Sequence, residues 1–260
     1  MAYDCIRCET DKGVALITLD RPRVLNAMNR QLWIEFQDAL EAVRLDPAVK
    51  VIIITGEGRA FSSGADLKES KTRTPEAYRE YLEALQSVSR KLIRFEKPTI
   101  AAINGYALGS GYELALACDI RIAAREALIG SPEARVSSSV TGGAFRLLQD
   151  LVGPGKASEL LFTAQNIDGR EAEKIGLVNK AVPLEDLLPA ARRMARDIAA
   201  NAAFSLKMIK QGLRMARDPV SLEALMDFEI EACLACVSTR DRLKALDDFE
   251  GRRSPPSDRQ

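Results

Sequence analysis

Short, almost wholly apolar segments rich in β-branched residues recur through the first two thirds of this chain, each passing into a turn or a helical pattern. That alternation constrains its fold more than any other feature. Residues 14–19 form such a run before a turn at Asp20, Arg21 and Pro22, after which Trp33, Phe36, Leu40 and Val43 recur at helical spacing. Residues 51–54 are a β-branched run of the kind buried on both faces, and residues 99–103 and 120–123 repeat it. Strand and helix signals in this order predict a layered α/β core with right-handed crossovers. From about Gly143 onward strands nearly vanish, apart from residues 177–182. Helical patterns follow at residues 156–162, 184–200, 204–216, 220–237 and 240–249. Leu222, Leu225 and Met226 form an apolar stripe that turns polar at Glu229, as on a helix packed on one side. Terminal helices with so little sheet to cover pack on their own core or on another subunit. No internal repeat, low-complexity block or linker precedes the polar tail, residues 254–260.

The chain has 260 residues, 37 Lys and Arg against 37 Asp and Glu, and no histidine. Ser-His-Asp and Cys-His catalysis, histidine-ligated zinc and imidazole proton shuttling are therefore excluded. Proton transfer near neutral pH falls to Glu, Asp, Lys, Tyr or Cys. The zero balance argues against broad electrostatic capture of nucleic acid or an acidic membrane. Cys5 and Cys8 fall in a strand-like segment and point to opposite faces, and Cys233 and Cys236 sit on a helix as small core residues. With Cys118 they predict no metal site. Residues 1–12 are charged and carry no secretory pattern, and residues 99–120 are interrupted by Asn104, three glycines and Glu113. A cytoplasmic protein without a membrane span is expected.

Two strand-to-helix turns carry the chemistry. One spans residues 61–67, with Ser62, Ser63, Gly64, Ala65, Asp66 and Leu67; the other runs from Asn104 through Gly109, Ser110 and Gly111 to Glu113. Both are small-residue loops beyond a strand's carboxyl end that open a helix, so free N–H groups can face an anion. Neither ends in Gly-Lys-Ser/Thr, and Leu114 stands where a dinucleotide loop has its third glycine, so nucleotide binding is a weak reading. Glu113 sits in an otherwise apolar helix, where its side chain leans back toward the Ser110 amide. A lone carboxylate there is costly unless it has a partner or a task. A second acid, Glu133, follows Ser131 and Pro132.

Together the segments RPRVLNAMN (residues 21–29), AFSSGADLKE (60–69), AAINGYALGSGYELALACDIRIA (101–123) and SPE (131–133) resemble the crotonase, or enoyl-CoA hydratase/isomerase, superfamily. IGLVNKAVP (175–183) and TRDRLKALDDFEGRR (239–253) extend the resemblance nearly end to end. The resemblance implies an α/β fold with a crotonase-type ββα spiral core over residues 1–190. It also implies a C-terminal helical oligomerisation region, residues 191–260, that makes a homotrimer or a hexamer of paired trimers. Its substrate class would be an acyl-CoA thioester, with no metal or separate cofactor and coenzyme A arriving as part of the substrate. On the same ground the backbone N–H groups of Ala65 and Ser110 would form an oxyanion hole. Glu113 would orient and activate water, and Glu133 would move the α-proton. Arg23, Leu25, Ala65, Asp66, Leu67, Lys68, Phe249 and Arg252 would contact CoA.

Isomerases of the superfamily commonly keep one of the two acids, so the pair favours an enoyl-CoA hydratase over an isomerase or another lyase of the fold. Two departures stand out. Ser110 replaces the usual glycine, and Ser137, Ser138, Ser139 and Thr141 put hydroxyls in a loop that is mostly apolar elsewhere. They suggest a branched, cyclic or polar acyl group. The rival of another class is a non-catalytic RNA- or partner-binding protein using Arg90, Lys91, Arg94 and Lys97, although such clusters are usually solvated helix faces.

Overall fold

The computed structural model describes residues 3–66, 69, 74–237, 239, 242 and 246. Two compact units divide the chain, Met1–Ile198 and Ala199–Gln260.

In the first unit, β1 (Ile6–Asp11) and β2 (Val14–Leu19) form an antiparallel hairpin. Its two-residue turn, Lys12 (φ 47°) and Gly13 (φ 82°), has the doubly left-handed backbone that matches strand twist. β2 pairs in parallel with β3 (Val51–Gly56), Val14 opposite Val51. β5 (Thr99–Ile103), β7 (Ile120–Ala124) and β10 (Lys180–Val182) continue in parallel, giving the order β1-β2-β3-β5-β7-β10. β2, β3 and β5 are buried along their whole length, which is why their sequences are apolar without alternation.

A second sheet consists of β4 (Ala60–Ser62), β6 (Tyr106–Leu108), β8 (Leu128–Gly130) and β9 (Ile167–Asp168), in the order β4-β6-β8-β9. The first three run parallel and β9 antiparallel. β3, β5 and β7 are each followed within three residues by a short strand of this sheet. β5 and β6 then lead into helix α3 (Ser110–Leu116), and β7 and β8 into a 3₁₀ turn (Glu133–Val136) and α4 (Ala144–Thr163). This repeated strand-strand-helix unit is the spiral core. It corrects one expectation: the segment from Asn104 to Glu113, read as a turn directly after β5, contains strand β6, and residues 61–67 likewise begin inside β4. Strands of three residues are too short to show a period of two.

Helix α1 (Arg30–Leu45) starts where Asn29 accepts a hydrogen bond from the Leu32 amide, and it buries Leu32, Trp33, Phe36, Ala39, Leu40 and Val43. Helix α2 (Pro75–Ile93) was not foreseen, although its signals are in the sequence. Thr74 accepts from the Ala77 amide, proline occupies the first turn, and Arg90 and Lys91 sit in the last. Tyr81, Leu85, Val88 and Leu92 form its buried face. α4 begins twelve residues before the expected 156–162 pattern because Gly153 (φ 76°, ψ 161°) kinks it ahead of Pro154, restarting the periodicity. α5 (Gly169–Lys174) and α6 (Leu184–Ala199) complete the unit.

The second unit contains α7 (Ala203–Met215) and α8 (Leu222–Val237), where Gly212 makes room for the Phe228 ring and Ser205 lies 3.6 Å from Cys236. Most of the expected 240–249 helix lies outside the described residues. Among the described residues no helix is long and apolar enough to cross a membrane.

Glu35, on α1, ties β1 to the helix. Its carboxylate is only 6% exposed and accepts from the amides of Asp4 (3.1 Å) and Cys5 (2.7 Å) and from Gln31 Nε2 (2.8 Å). Burial pushes its pKa up, but the hydrogen bonds outweigh burial and hold it below the ordinary value. Its contribution is therefore present above the unfolded glutamate pKa and is lost as pH falls through the folded one. Glu35→Gln should lower stability at pH 7, with the gap to wild type narrowing as the pH drops from 5 toward 3 in urea unfolding. A constant gap would remove Glu35 from the acid response.

Candidate active site

Asn26 organises one side of the site, and sequence reasoning passed over it. It is fully buried with φ 55°, a backbone region that asparagine tolerates better than most residues. Its Nδ2 donates to the carbonyls of Ala60 (2.7 Å) and Glu57 (3.0 Å), and its Oδ1 accepts from the Arg21 amide (2.8 Å). Ser62 Oγ donates to the Asn26 carbonyl (2.9 Å) and accepts from the Gly64 amide (3.1 Å). The loop after β4 is thus fixed at both ends. Met28 then donates to the Gly64 carbonyl and accepts from the Asp66 amide, forming a bridge opposite Ala65. That pattern turns the Ala65 N–H away from Met28, and it has no protein acceptor among the described residues.

Gly109 (φ 52°) leads the second loop into α3. Ser110, the first residue of that helix, likewise has an N–H with no protein acceptor among the described residues. The two loops touch through glycine. A Cβ on Gly64 (φ 96°) would stand 2.7 Å from the Leu108 carbonyl and 3.3 Å from the Ser110 nitrogen, and one on Gly111 would stand 2.5 Å from the Ser62 carbonyl. Ala65 and Ser110 line the same cavity of about 520 Å³.

Both glutamates line it too. Glu113 is 2% exposed, and its carboxylate does not lean to the Ser110 amide as expected. It reaches the following loop, where Oε1 accepts from the Thr141 amide (2.5 Å) and Oε2 from the Thr141 hydroxyl (2.6 Å). Burial pushes the Glu113 carboxyl above its ordinary pKa. The two Thr141 donors oppose that rise, and the negative charge of Glu133 adds to it. Glu133 opens the 3₁₀ turn, and its Oε2 accepts from the buried Ser131 hydroxyl at 2.5 Å. A Cβ on Gly109 would stand 2.7 Å from Glu133 Oε1, so glycine also admits the second acid.

The remaining wall comes from α2, with Tyr78, Tyr81, Leu82 and Leu85, and from Val136, Ser138, Ser139 and Thr141. Ser137 takes a left-handed turn (φ 54°) and is not part of the wall. Asp66 lines the cavity with its carboxylate 3.1 Å from Arg21 Nη1. Arg23 is exposed and Leu25 half-buried; neither lines the cavity, although Val24 and Ala27 between and beside them do. Leu67, Lys68, Phe249 and Arg252 lie outside the described residues. In the basic group at the end of α2 and just beyond it, Arg90, Lys91 and Arg94 line one cavity away from these acids, Lys91 donates to Gln37 (2.8 Å), and Lys97 donates to the carbonyls of Val43 and Asp46 (both 2.6 Å).

Two N–H donors beside two carboxylates in one cavity can stabilise an oxyanion and move protons on either side of it. Residues 9–260 match the protein family described as enoyl-CoA hydratase/isomerase. The chain is 38% identical over 250 residues to a crotonyl-CoA hydratase of Syntrophomonas wolfei, covering 96% of each chain. It is also 38% identical to a short-chain-enoyl-CoA hydratase of Clostridium acetobutylicum, covering 96% of this chain and 95% of that one. Among solved structures, an enoyl-CoA hydratase from Bacillus anthracis superposes with a TM-score of 0.93 at 34% identity, covering 97% of this chain and 98% of the other.

Gly109→Ala combines a left-handed backbone with a clash at Glu133. It should destabilise the fold by about 1–2 kcal/mol in urea unfolding, and a crystal structure of the variant should show the Glu133 carboxylate displaced.

Proposed function

The chain belongs to the enoyl-CoA hydratase/isomerase family, and from that premise we propose that it adds water across the 2,3 double bond of an enoyl-CoA thioester, or runs the reverse dehydration. The observation that carries this reading is the presence of Glu113 and Glu133 in the same cavity as the uncommitted amides of Ala65 and Ser110. The thioester carbonyl oxygen would accept from both amides. Glu113 would orient water and take its proton as the hydroxide equivalent attacks C3. The electrons of the double bond would move onto the thioester oxygen as an enolate, which the two donors stabilise. Collapse of the enolate would take a proton at C2 from Glu133, and one proton passing from Glu113 to Glu133 would restore the pair.

Coenzyme A enters as part of the substrate. Arg23, Leu25, Ala65, Asp66, Leu67, Lys68, Phe249 and Arg252 remain its proposed contacts on the family resemblance. The hydroxyls of Ser138, Ser139 and Thr141 in the cavity wall support an acyl group that is branched, cyclic or polar. Ile209, Leu213, Leu222, Met226 and Ile230 expose large apolar side chains on α7 and α8, which supports burial against further copies of the chain as a homotrimer or paired trimers. Sedimentation equilibrium should return three or six times the chain mass.

The deciding assay follows loss of the conjugated thioester absorbance over a panel of 2-enoyl-CoA substrates, from crotonyl to longer, branched, ring-bearing and hydroxylated acyl groups. Wild type should form 3-hydroxyacyl-CoA, and Glu113→Gln and Glu133→Gln should each slow hydration by roughly 10²–10⁴. Double-bond migration that survives Glu113→Gln in an enzyme without hydration would assign an isomerase. No turnover of any panel member would overturn both readings.

A further inference from the structure

Hydroxyls, not cations, hold the two acids of the site. Among the described residues no lysine or arginine reaches Glu113 or Glu133, while Thr141 and Ser131 each donate to one of them. The geometry points to Thr141 as the positioning residue that aims Glu113 and favours its carboxylate form, its amide and its hydroxyl each donating to a different oxygen of that one carboxylate. The inference deepens the hydratase reading, on which its kinetic consequence rests.

An ionised carboxylate only accepts, and it has about four lone-pair positions on two oxygens. Thr141 fills one position on each oxygen and leaves one on each for water. A neutral Glu113 would have to place its proton in one of the two positions left for water, or turn it against one of the donors. Any residue at position 141 would offer the amide. Only a hydroxyl side chain supplies the second donor, and threonine's branched Cβ restricts the rotamers over which that donor is spread.

The backbone around Thr141 is fixed in turn. Its carbonyl accepts from the Ala144 amide (2.9 Å) at the start of α4. Gly142 (φ 62°) lies so close behind that a Cβ there would stand 2.9 Å from Ser89 Oγ and 3.1 Å from Glu113 Cβ. At Gly142 the loop therefore packs closely against Ser89 of α2 and Glu113 of α3.

Among the described residues the surroundings offer no cation to hold the charge. Across the cavity the 3₁₀ turn presents Glu133, a second carboxyl and no cation. The loop after β4 presents Asp66, already paired with Arg21, and α2 presents the phenols Tyr78 and Tyr81 and the hydroxyl of Ser89. β4 and β6 bring no charged side chain, and α4 begins with Ala144. Burial, and Glu133 when it is ionised, push Glu113 toward the neutral acid, and the Thr141 donors oppose them.

The test titrates Glu113 in the ligand-free protein by infrared difference spectroscopy, identifying its carboxyl band as the one missing in Glu113→Gln. Thr141→Val should move the midpoint up by about one pH unit, the size expected for one hydrogen bond to a charged group, and Thr141→Ser should restore it. The acid limb of kcat/KM for hydration should move with it, so that activity below the limb falls roughly tenfold while the alkaline plateau changes less. Thr141→Ala must give the same shift and serves if the valine variant does not fold. A midpoint unmoved in a folded Thr141→Val or Thr141→Ala protein would overturn the inference, as would a serine variant shifted as far as valine. Hydration that survives Glu113→Gln would instead remove Glu113 from the reaction, while the band titration would still decide what Thr141 does.

Discussion

Two backbone segments meet in this protein at a distance that no side chain permits, and the site depends on that contact. The loops after β4 and β6 approach through Gly64, Gly109 and Gly111. At each a Cβ would stand closer than 3 Å to an atom of the other loop or of Glu133. The parallel pairing of β4 with β6 sets the two loops side by side, and the glycines let them close the remaining gap. Asn26 and Asn104 hold the turn that feeds β4: Asn26 donates to Glu57 and Ala60, and Asn104 to Gly58 and Ala60. No strand partner satisfies the carbonyls of this turn, so the two asparagine side chains do. The pairing of β4 with β6 in this small sheet therefore brings the amides of Ala65 and Ser110 to one cavity.

Much of this was legible in the chain before any coordinates, and the limits of that legibility are physical. The long parallel strands announce themselves because burial on both faces demands continuous apolar sequence, and α1 because Trp33, Phe36, Leu40 and Val43 keep helical spacing. β4, β6 and β8 leave no such trace, since three residues cannot display a period. Helix α2 carried a Thr74-Pro75 start that went unread, its apolar face being diluted by exposed charge. At the site, the motif segments singled out Ala65, Ser110, Glu113 and Glu133, and all four line one cavity. Asn26 was hidden because its work is to satisfy backbone carbonyls distant in sequence, Glu57 and Ala60. Thr141 was read only as a polar lining residue. Its grip on Glu113 spans 28 residues and depends on the left-handed turn at Gly142.

Three carboxylates line the cavity, and their partners separate them by role. Asp66 has an arginine, whereas Glu113 and Glu133 have hydroxyls. A unit charge at 4 Å is worth about 4 kcal/mol at an effective dielectric constant near 20, equivalent to about three pKa units. A guanidinium beside either glutamate would hold it ionised but leave it too weak a base to take a proton from water. Hydroxyl and amide donors fix the direction of a carboxylate while lowering its basicity far less. The chain has no histidine to share the work, so on the proposed reading, with both acid and base glutamates, that distinction matters to the chemistry. Glu113 has two such donors, both from Thr141, and Glu133 has one, from Ser131.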